Sequence, residues 1–271
     1  RRGDGASQLM ALHSIRGNLE EGSRLASDLY ESGRRWNYIN HQAWGLQGMA
    51  IHLLQTGRHD ETLRRLEELE GLLAHLDSPE DVLESEVHGL RALAHFRRAE
   101  YLEALDQAEA MAAVADKSPL PTNFSALSGY AGAAEALLGM LEARRRLPPE
   151  LQSQVPRIRK MAGAASKRLG RYSRVFPIGK PRTSLWRGVN DWGSGRREKA
   201  REAWKTGLAS AEQLDMSYDQ GLAHFEIGRH LEPEDPSRPE HLERAAEIFD
   251  QLGADYDLAH AQLELAQPKS G

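Results

Sequence analysis

The chain has 271 residues and a formal net charge of −5; 40% of its residues are hydrophobic and 28% are charged. This length suits two domains or an elongated repeat array, and the apolar content excludes wholesale disorder. Cysteine is absent, which excludes disulfides, thiolate metal sites and cysteine nucleophiles.

The same composition suggests a cellular location. A chain without cysteine fits a reducing compartment. No apolar run approaches the roughly 18 residues of a membrane span, and the first residues lack the apolar core of a signal peptide. We therefore expect a soluble, cytoplasmic protein with no membrane partner. Because the chain starts Arg1-Arg2-Gly3 without Met, we also expect it to be part of a longer polypeptide.

Helical periodicity runs along the whole chain. From position 63, for example, the leucines Leu63, Leu66, Leu69 and Leu73 recur three or four residues apart. Ala, Leu, Glu and Arg, which lose little rotamer freedom in a helix, are abundant, and only 6% of residues are aromatic. The sequence therefore predicts an all-α protein.

Glycines divide these helices into pairs. Gly17, Gly57 and Gly195 each precede a new helical stretch, where a residue with positive φ would let the chain turn. Gly57 follows Gly17 by 40 residues, and Ala99, which takes the place of a turn glycine, follows Gly57 by 42. These spacings predict a series of helical hairpins, and we expect the stretch 254–266 to be the helix that caps it.

The residues around the turns follow the tetratricopeptide pattern. A small residue seven positions before the turn and another five positions after it let two helices cross closely, and a large residue fills the groove. Gly188, Gly195, Ala200 and Trp204 match this pattern. It predicts a tetratricopeptide-like helical-hairpin solenoid, although a generic helical bundle with small residues at its crossings would show the same residues.

The stretch from about 170 to 260 resembles a known type of repeat region. Its motifs are Arg174-Val175-Phe176-Pro177, Leu185-Trp186-Arg187-Gly188, Leu214-Asp215-Met216-Ser217-Tyr218, Gly221-Leu222-Ala223, Glu226-Ile227-Gly228-Arg229-His230 and Leu252-Gly253-Ala254. They resemble the C-terminal tetratricopeptide region of large bacterial signalling proteins. In those proteins a class III adenylate or guanylate cyclase, or a serine/threonine kinase, precedes an AAA/STAND-type ATPase. The resemblance implies a regulatory or sensing module and carries over no catalytic residue.

Charge divides the chain into three parts. Residues 1–143 carry a net charge of −9, residues 144–187 of +12 and residues 188–271 of −8. Prolines are concentrated in the basic part as well. We therefore predict N-terminal repeats at 1–143, a basic, proline-punctuated junction with a helix at 144–184, and C-terminal repeats with a capping helix at 185–271.

The basic part is the candidate partner-binding region. We predict contacts at Arg171, Arg174, Lys180, Arg182, Trp186 and Arg229. For Trp186 core packing is the alternative, and Arg229 could instead pair with acidic side chains of its own chain. The basic residues could form a solvated helix face, dock on an acidic protein surface or bind nucleic acid. Few aromatic residues interleave them, so nucleic acid is the least favoured partner.

No catalytic motif accompanies these features. Gly179-Lys180 is followed by Pro181, which is incompatible with a phosphate-binding loop. Zinc-protease, EF-hand and nucleophile-elbow motifs are absent too. His224, Glu226 and His230 have the wrong spacing for a metal pair on a helix. We therefore expect no enzymatic activity, cofactor or metal.

Two functions remain open from the sequence. The first is a protein-interaction and regulatory scaffold, the sensing or docking module of a larger bacterial signalling ATPase, whose partners are the other domains of the parent protein or a signalling protein. The second is a ligand- or nucleic-acid-sensing repeat domain of an ATP-dependent transcription regulator. The sequence predicts no oligomeric state.

Overall fold

The computed structural model of the chain describes residues 2–74, 81–117 and 121–266. Within these ranges there are fourteen α-helices and three short 3-10 helices, and no strand. The α-helices are α1 (Arg2–Arg16), α2 (Leu19–Arg35), α3 (Ile39–Gln55), α4 (His59–Leu73), α5 (Asp81–Arg97), α6 (Tyr101–Lys117), α7 (Leu127–Glu142), α8 (Pro149–Gln152), α9 (Val155–Val175), α10 (Lys180–Gly193), α11 (Arg197–Gln213), α12 (Ser217–His230), α13 (Ser237–Leu252) and α14 (Asp255–Leu265). The predicted all-α class is confirmed.

The helices form two layers. In the inner layer α1, α3, α5, α7, α10 and α12 each contact the next, and α12 contacts α1, so these six helices form a ring. The helices α2, α4, α6, α9, α11 and α13 pack outside this ring. We call the six inner helices the inner ring.

The predicted turns have the expected backbone conformation. Gly17, Gly57 and Gly195 have φ values of 81°, 78° and 77°, and Ala99 takes a φ of 61° at the equivalent position. Only glycine adopts this left-handed region at no steric cost. Asn37, Asp215 and Gly253, which the turn pattern did not single out, have positive φ as well.

Contacts between the two ends of the chain complete the ring. A Cβ atom on Gly17 would lie 3.2 Å from both Leu252 and Ser217, and one on Gly57 would lie 3.2 Å from the backbone nitrogen of Tyr256. Arg16 and Asp215 form an ion pair of 3.8 Å between exposed side chains. The first and last hairpins therefore touch each other, whereas in an open solenoid each hairpin touches only its neighbours.

The helix α14 occupies the stretch that we expected to cap the array. It packs on α13 and contacts α12, and its Tyr256 ring lies 5.1 Å from the ring of His59, in an edge-on arrangement. Leu263 on its outer side is 64% exposed. Because the ring closes, α14 fills the junction between the last hairpin and the α3–α4 turn.

The basic segment is continuous with the rest of the fold. The helix α9 packs on α7 and α10 through a stripe of fully buried residues that includes Ile158, Ala162, Leu169 and Tyr172. One cluster of buried apolar residues extends from Ala92 to Ala261. The core therefore runs across positions 143 and 184, the predicted limits of the basic junction.

Small residues lie where helices cross, as the repeat pattern predicts. A Cβ atom on Gly188 of α10 would lie 2.2 Å from Nε1 of Trp204 on α11. The Trp204 side chain is 1% exposed, and its Nε1 donates a hydrogen bond of 3.2 Å to the carbonyl oxygen of Leu185. The indole thus fills the space that the missing side chain leaves, and it also forms the hydrogen bond that a buried N–H requires.

This crossing predicts that Gly188→Ala destabilises the protein. The new methyl group would overlap the buried indole, and overpacking of this kind costs about 1–3 kcal/mol. Gly193→Ala on the same helix is the matched control, because a Cβ atom there meets nothing within 4 Å. Its stability should stay within about 1 kcal/mol of the wild type. Urea unfolding measures both, and equal stability of the two variants would contradict the predicted crossing.

Candidate functional site

A cavity of about 420 Å³ lies inside the ring. All six helices of the inner ring contribute to its lining, together with the segment 123–125 that precedes α7. The lining residues used below are Met10, Ser14, Trp44, Gln47, Ile51, Gln55, Leu90, Leu93, Arg97, Ser128, Glu135, Arg182, Tyr218 and Asp219. Its volume falls in the range of about 300–1,000 Å³ that is typical of small-molecule sites.

One buried guanidinium joins the helices around the cavity. Arg97, the last residue of α5, has a side chain that is 2% exposed. Its Nη2 donates to Glu135 Oε1 at 2.9 Å and to Asp257 Oδ1 at 3.4 Å, and its Nη1 donates to the carbonyl oxygen of Leu54 at 3.2 Å. Arg97 thus connects α3, α5, α7 and α14.

Two tyrosines complete this cluster. The hydroxyl of Tyr218 donates to Asp257 Oδ2 at 2.6 Å and accepts from Arg97 Nη2 at 3.3 Å. The guanidinium lies over the ring of Tyr256, 4.6 Å from its centroid. Burial raises the pKa of both tyrosines, that of Tyr256 to about 12, so both hydroxyls stay protonated. We call Arg97, Glu135, Tyr218, Tyr256 and Asp257 the Arg97 cluster.

The opposite charges of the Arg97 cluster stabilise one another. Burial disfavours the charged form of Arg97, but the negative charge of Asp257 and its neighbours outweighs this effect, and the pKa of Arg97 is raised well above its ordinary value. The guanidinium therefore stays charged. Buried charges persist when they are paired and hydrogen-bonded in this way.

A second ion pair lies beside the first. Arg182 Nε donates to Asp219 Oδ1 at 2.5 Å, and its guanidinium lies 5.2 Å from the centroid of the Tyr218 ring. Burial raises the pKa of Asp219, and the adjacent Arg182 opposes this shift. The pair extends the polar wall of the cavity from α7 across α10 to α12.

Three residues that line the cavity each carry a solvent-inaccessible polar atom with no hydrogen-bond partner among the described residues. These atoms are Oε2 of Glu135, Oε1 of Gln55 and Nε of Arg97. A buried polar atom without a partner costs free energy, and a molecule in the cavity could reach these atoms only if their side chains moved.

Apolar side chains contribute to the lining of the cavity as well. Met10, Trp44, Ile51, Leu90 and Leu93 line it from α1, α3 and α5. The cavity lining therefore combines apolar side chains, uncharged polar side chains such as Ser14 and Gln47, and two ion pairs, as is common in small-molecule sites.

The predicted partner-binding residues lie in different environments. Arg171 and Arg174 near the end of α9 and Lys180 at the start of α10 are exposed and have no ion-pair partner among the described residues. We expected Arg182 to point outward with them, but its side chain is only 13% exposed and faces Asp219. Position 182 lies on the side of α10 that faces α12, which turns it towards the interior.

The other two predicted contact residues are held by their own chain. Trp186 is 5% exposed, so it presents little surface to a partner. Arg229 pairs with Glu142 at 2.9 Å and with Glu226 at 2.8 Å. Burial raises the pKa of Glu226 to about 7, although Arg229 opposes the shift.

The histidines that we considered as ligands pack against rings. His230 lies 4.6 Å from the centroids of both Trp192 and Trp204, and Nδ1 of His224 lies 2.9 Å from Nδ1 of His241. No group of three or more His, Cys, Asp or Glu side chains in the described part of the chain could hold a metal ion.

Sequence reasoning did not find the Arg97 cluster. Glu135 lies 38 positions from Arg97 and Asp257 lies 160 positions from it. No local spacing links residues so far apart. The sequence contained only a weak signal for this cluster. Arg97 ends a helix whose other face is apolar, and the sequence alone suggests only that its positive charge interacts with the C-terminus of that helix.

Comparison with protein-family models and with curated proteins finds no match for this chain. Within the described residues no helix is both long and apolar enough to cross a membrane. The fold and the cavity are therefore the basis for assigning a function.

The Arg97 cluster predicts a large loss of stability for Arg97→Met. Removing the guanidinium leaves the buried carboxylates of Glu135 and Asp257 without their shared partner, which typically costs 3–5 kcal/mol. Arg98→Met is the matched control, because Arg98 is an exposed neighbour whose ion pairs lie at the surface, and its cost should be small by comparison. Thermal unfolding measures both; similar melting temperatures would show that the Arg97 cluster contributes little.

Proposed function

We propose that this chain is a regulatory binding module, built from tetratricopeptide-like helical hairpins, that senses a small molecule in its central cavity and does no chemistry itself. The observation that carries the proposal is the cavity of about 420 Å³ inside the inner ring, whose lining includes apolar side chains and the ion-paired residues Arg97 and Arg182. The resemblance of residues 170–260 to the repeat tails of bacterial signalling ATPases supports a sensing role.

The position of the cavity supports regulation. Its lining includes Met10 near the start of the chain and Tyr218 in the fourth quarter. A molecule in the cavity would touch both ends of the inner ring and would favour the closed ring over any state in which those ends separate. Occupancy could thus be transmitted to neighbouring domains as a change in ring closure.

A second function, docking to an acidic protein surface, has its own support. The basic segment carries many exposed cations without an ion-pair partner among the described residues: Arg144, Arg145, Arg146, Arg159, Lys160, Lys167, Arg171, Arg174, Lys180 and Arg187. A face with this charge attracts an acidic surface. We propose that the partner is another domain of the parent protein.

The binding proposal predicts that an apolar fluorescent probe enters the cavity. N-phenyl-1-naphthylamine should show saturable fluorescence enhancement with the wild-type chain. Ser128→Phe places a ring at the cavity lining and should weaken binding at least tenfold. Ser153→Phe is the matched control, because Ser153 is exposed outside the ring, and it should bind as the wild type does.

Two results of the probe titration would contradict the proposal. One is the absence of saturable binding by the wild-type chain. The other is equal binding by the wild type and Ser128→Phe, with both proteins folded by circular dichroism, because the probe would then bind elsewhere.

The docking function predicts a charge-dependent interaction. Arg171, Arg174 and Lys180 changed together to Glu should weaken binding to the remaining domains of the parent protein about tenfold or more. Arg182 is left out because it belongs to an internal ion pair. The control reverses three exposed cations on other helices, Lys199, Lys205 and Arg244.

Calorimetric titration at two salt concentrations tests this prediction. The Debye length falls from about 10 Å at 0.1 M to about 3 Å at 1 M, so wild-type binding should weaken strongly with salt. Equal binding of both triple variants, or binding insensitive to salt, would show that the basic face is only solvated.

A further inference from the structure

One buried carboxyl group differs from all the others in the described part of the chain. Six acidic side chains are buried there. Five of them pair with an arginine: Glu135, Asp191, Asp219, Glu226 and Asp257. The sixth, Glu86 on α5, is 1% exposed and forms no ion pair with any described residue.

Glu86 has a single hydrogen-bond partner among the described residues. Nε2 of Gln47 on α3 donates to its Oε2, whereas its Oε1 is inaccessible to solvent and unpartnered. Gln47 is uncharged, so it supplies no counter-charge. An amide suits a neutral carboxyl group better than a carboxylate, because the neutral group offers a donor as well as an acceptor.

Close helix packing keeps solvent away from this carboxyl group. A Cβ atom on Gly129 of α7 would lie 2.7 Å from Cα of Glu86, and one on Gly132 would lie 2.7 Å from the carbonyl oxygen of Gly89. The backbones of α5 and α7 are therefore in direct contact beside Glu86. This contact leaves no room between them for a water molecule.

The charged groups of the surrounding helices are engaged elsewhere. Glu70 of α4 pairs with Arg91, and Glu135 of α7 pairs with Arg97. Burial lowers the pKa of His52 on α3 to about 4, so this histidine is neutral at pH 7. The carboxylates of α6 are exposed or pair with α9: Glu103, Asp106, Glu109 and Asp116.

Tyr172 of α9 interacts electrostatically with Glu86 but cannot balance its charge. Burial, and after it the negative charge of Glu86, raises the pKa of Tyr172, so the hydroxyl stays neutral and donates to the carbonyl oxygen of Phe124 at 2.5 Å. The adjacent Tyr130 of α7, with its ring centroid 5.8 Å from that of Tyr172, is held neutral by burial as well.

An ionised Glu86 would thus be a buried charge without compensation. Burial raises the pKa of Glu86 well above its ordinary value, and the bond from Gln47 opposes this shift only in part. A group in such a place takes up a proton rather than keep its charge.

We propose that Glu86 is a proton-binding site on which the closed inner ring depends: the packed helices α3, α5 and α7 hold its carboxyl group in the neutral form, and their separation releases the proton to water. Glu86 does not line the cavity, so the inference goes beyond the proposed function and needs no ligand there. A rise in pH favours separation of these helices, which gives the module a second input.

The direction of the pH effect follows from the two states. In the unfolded chain Glu86 has its ordinary pKa of 4.5, so above that pH folding must take up a proton. Relative to a chain without this group, each further pH unit lowers the folding equilibrium constant about tenfold, until the pKa of the folded state is reached. Below pH 4.5 both states are protonated and the effect vanishes.

Urea unfolding of the whole chain between about pH 5 and pH 9 tests the proposal. Glu86→Gln is a neutral variant of similar shape, and the ratio of its folding equilibrium constant to that of the wild type should rise at least tenfold between about pH 5 and pH 7. Glu84→Gln on the same helix is the matched control, because Glu84 is half-buried and reaches solvent. Its ratio should stay nearly constant.

Nuclear magnetic resonance of the glutamate carboxyl carbons gives a second measurement on the wild type, which decides the question even if Glu86→Gln does not fold. At about pH 7 one glutamate should show the chemical shift of a protonated carboxyl group, in addition to Glu226, whose pKa burial raises to about 7.

Either of two results overturns the proposal. One is a ratio for Glu86→Gln that does not rise with pH. The other is a wild-type spectrum in which every glutamate except Glu226 is ionised at about pH 7. Neither result affects the binding of N-phenyl-1-naphthylamine in the cavity, so the proposed function is tested separately.

Discussion

The structure depends on the compensation of one buried charge. The Arg97 guanidinium is almost fully removed from solvent, and its partners come from α3, α7, α12 and α14. An unpaired charge at this depth would cost a prohibitive amount of free energy. These helices can therefore pack closely only if each of them places a polar group next to Arg97. The hydrophobic effect packs each hairpin, but it has no direction; the requirement to satisfy Arg97 specifies which hairpins meet across the ring.

Closing the ring gives the protein its candidate site. In an open array of hairpins the inner surface would be a groove, but here the first and last hairpins touch, and the inner surface surrounds a cavity. The Arg97 cluster that holds the ring also forms part of the cavity wall. Ligand binding in the cavity and closure of the ring would therefore involve the same residues. This is the physical basis for proposing that a ligand regulates the module by favouring the closed ring.

The outer face is chemically distinct from the inner one. The exposed cations of the segment 144–187 lie outside the ring and do not contribute to the cavity, whereas the largely buried Arg182 of the same segment lines it. Solvent and salt weaken interactions at this face, whereas the Arg97 cluster is shielded from both. A ligand inside and a protein partner outside would thus respond differently to ionic strength.

The sequence by itself determined the features that depend on neighbouring residues. Helical periodicity, the positive φ at Gly17, Gly57, Gly195 and Ala99, and the close crossing of Gly188 and Trp204 all follow from spacings of a few to about twenty residues. Tertiary structure alone decided that Arg97 meets Asp257, that Arg182 faces inward and that the two ends of the chain meet around a cavity. A local pattern indicates which face of a helix is apolar. It does not indicate which distant helix supplies the counter-charge, since that depends on how the whole array curves.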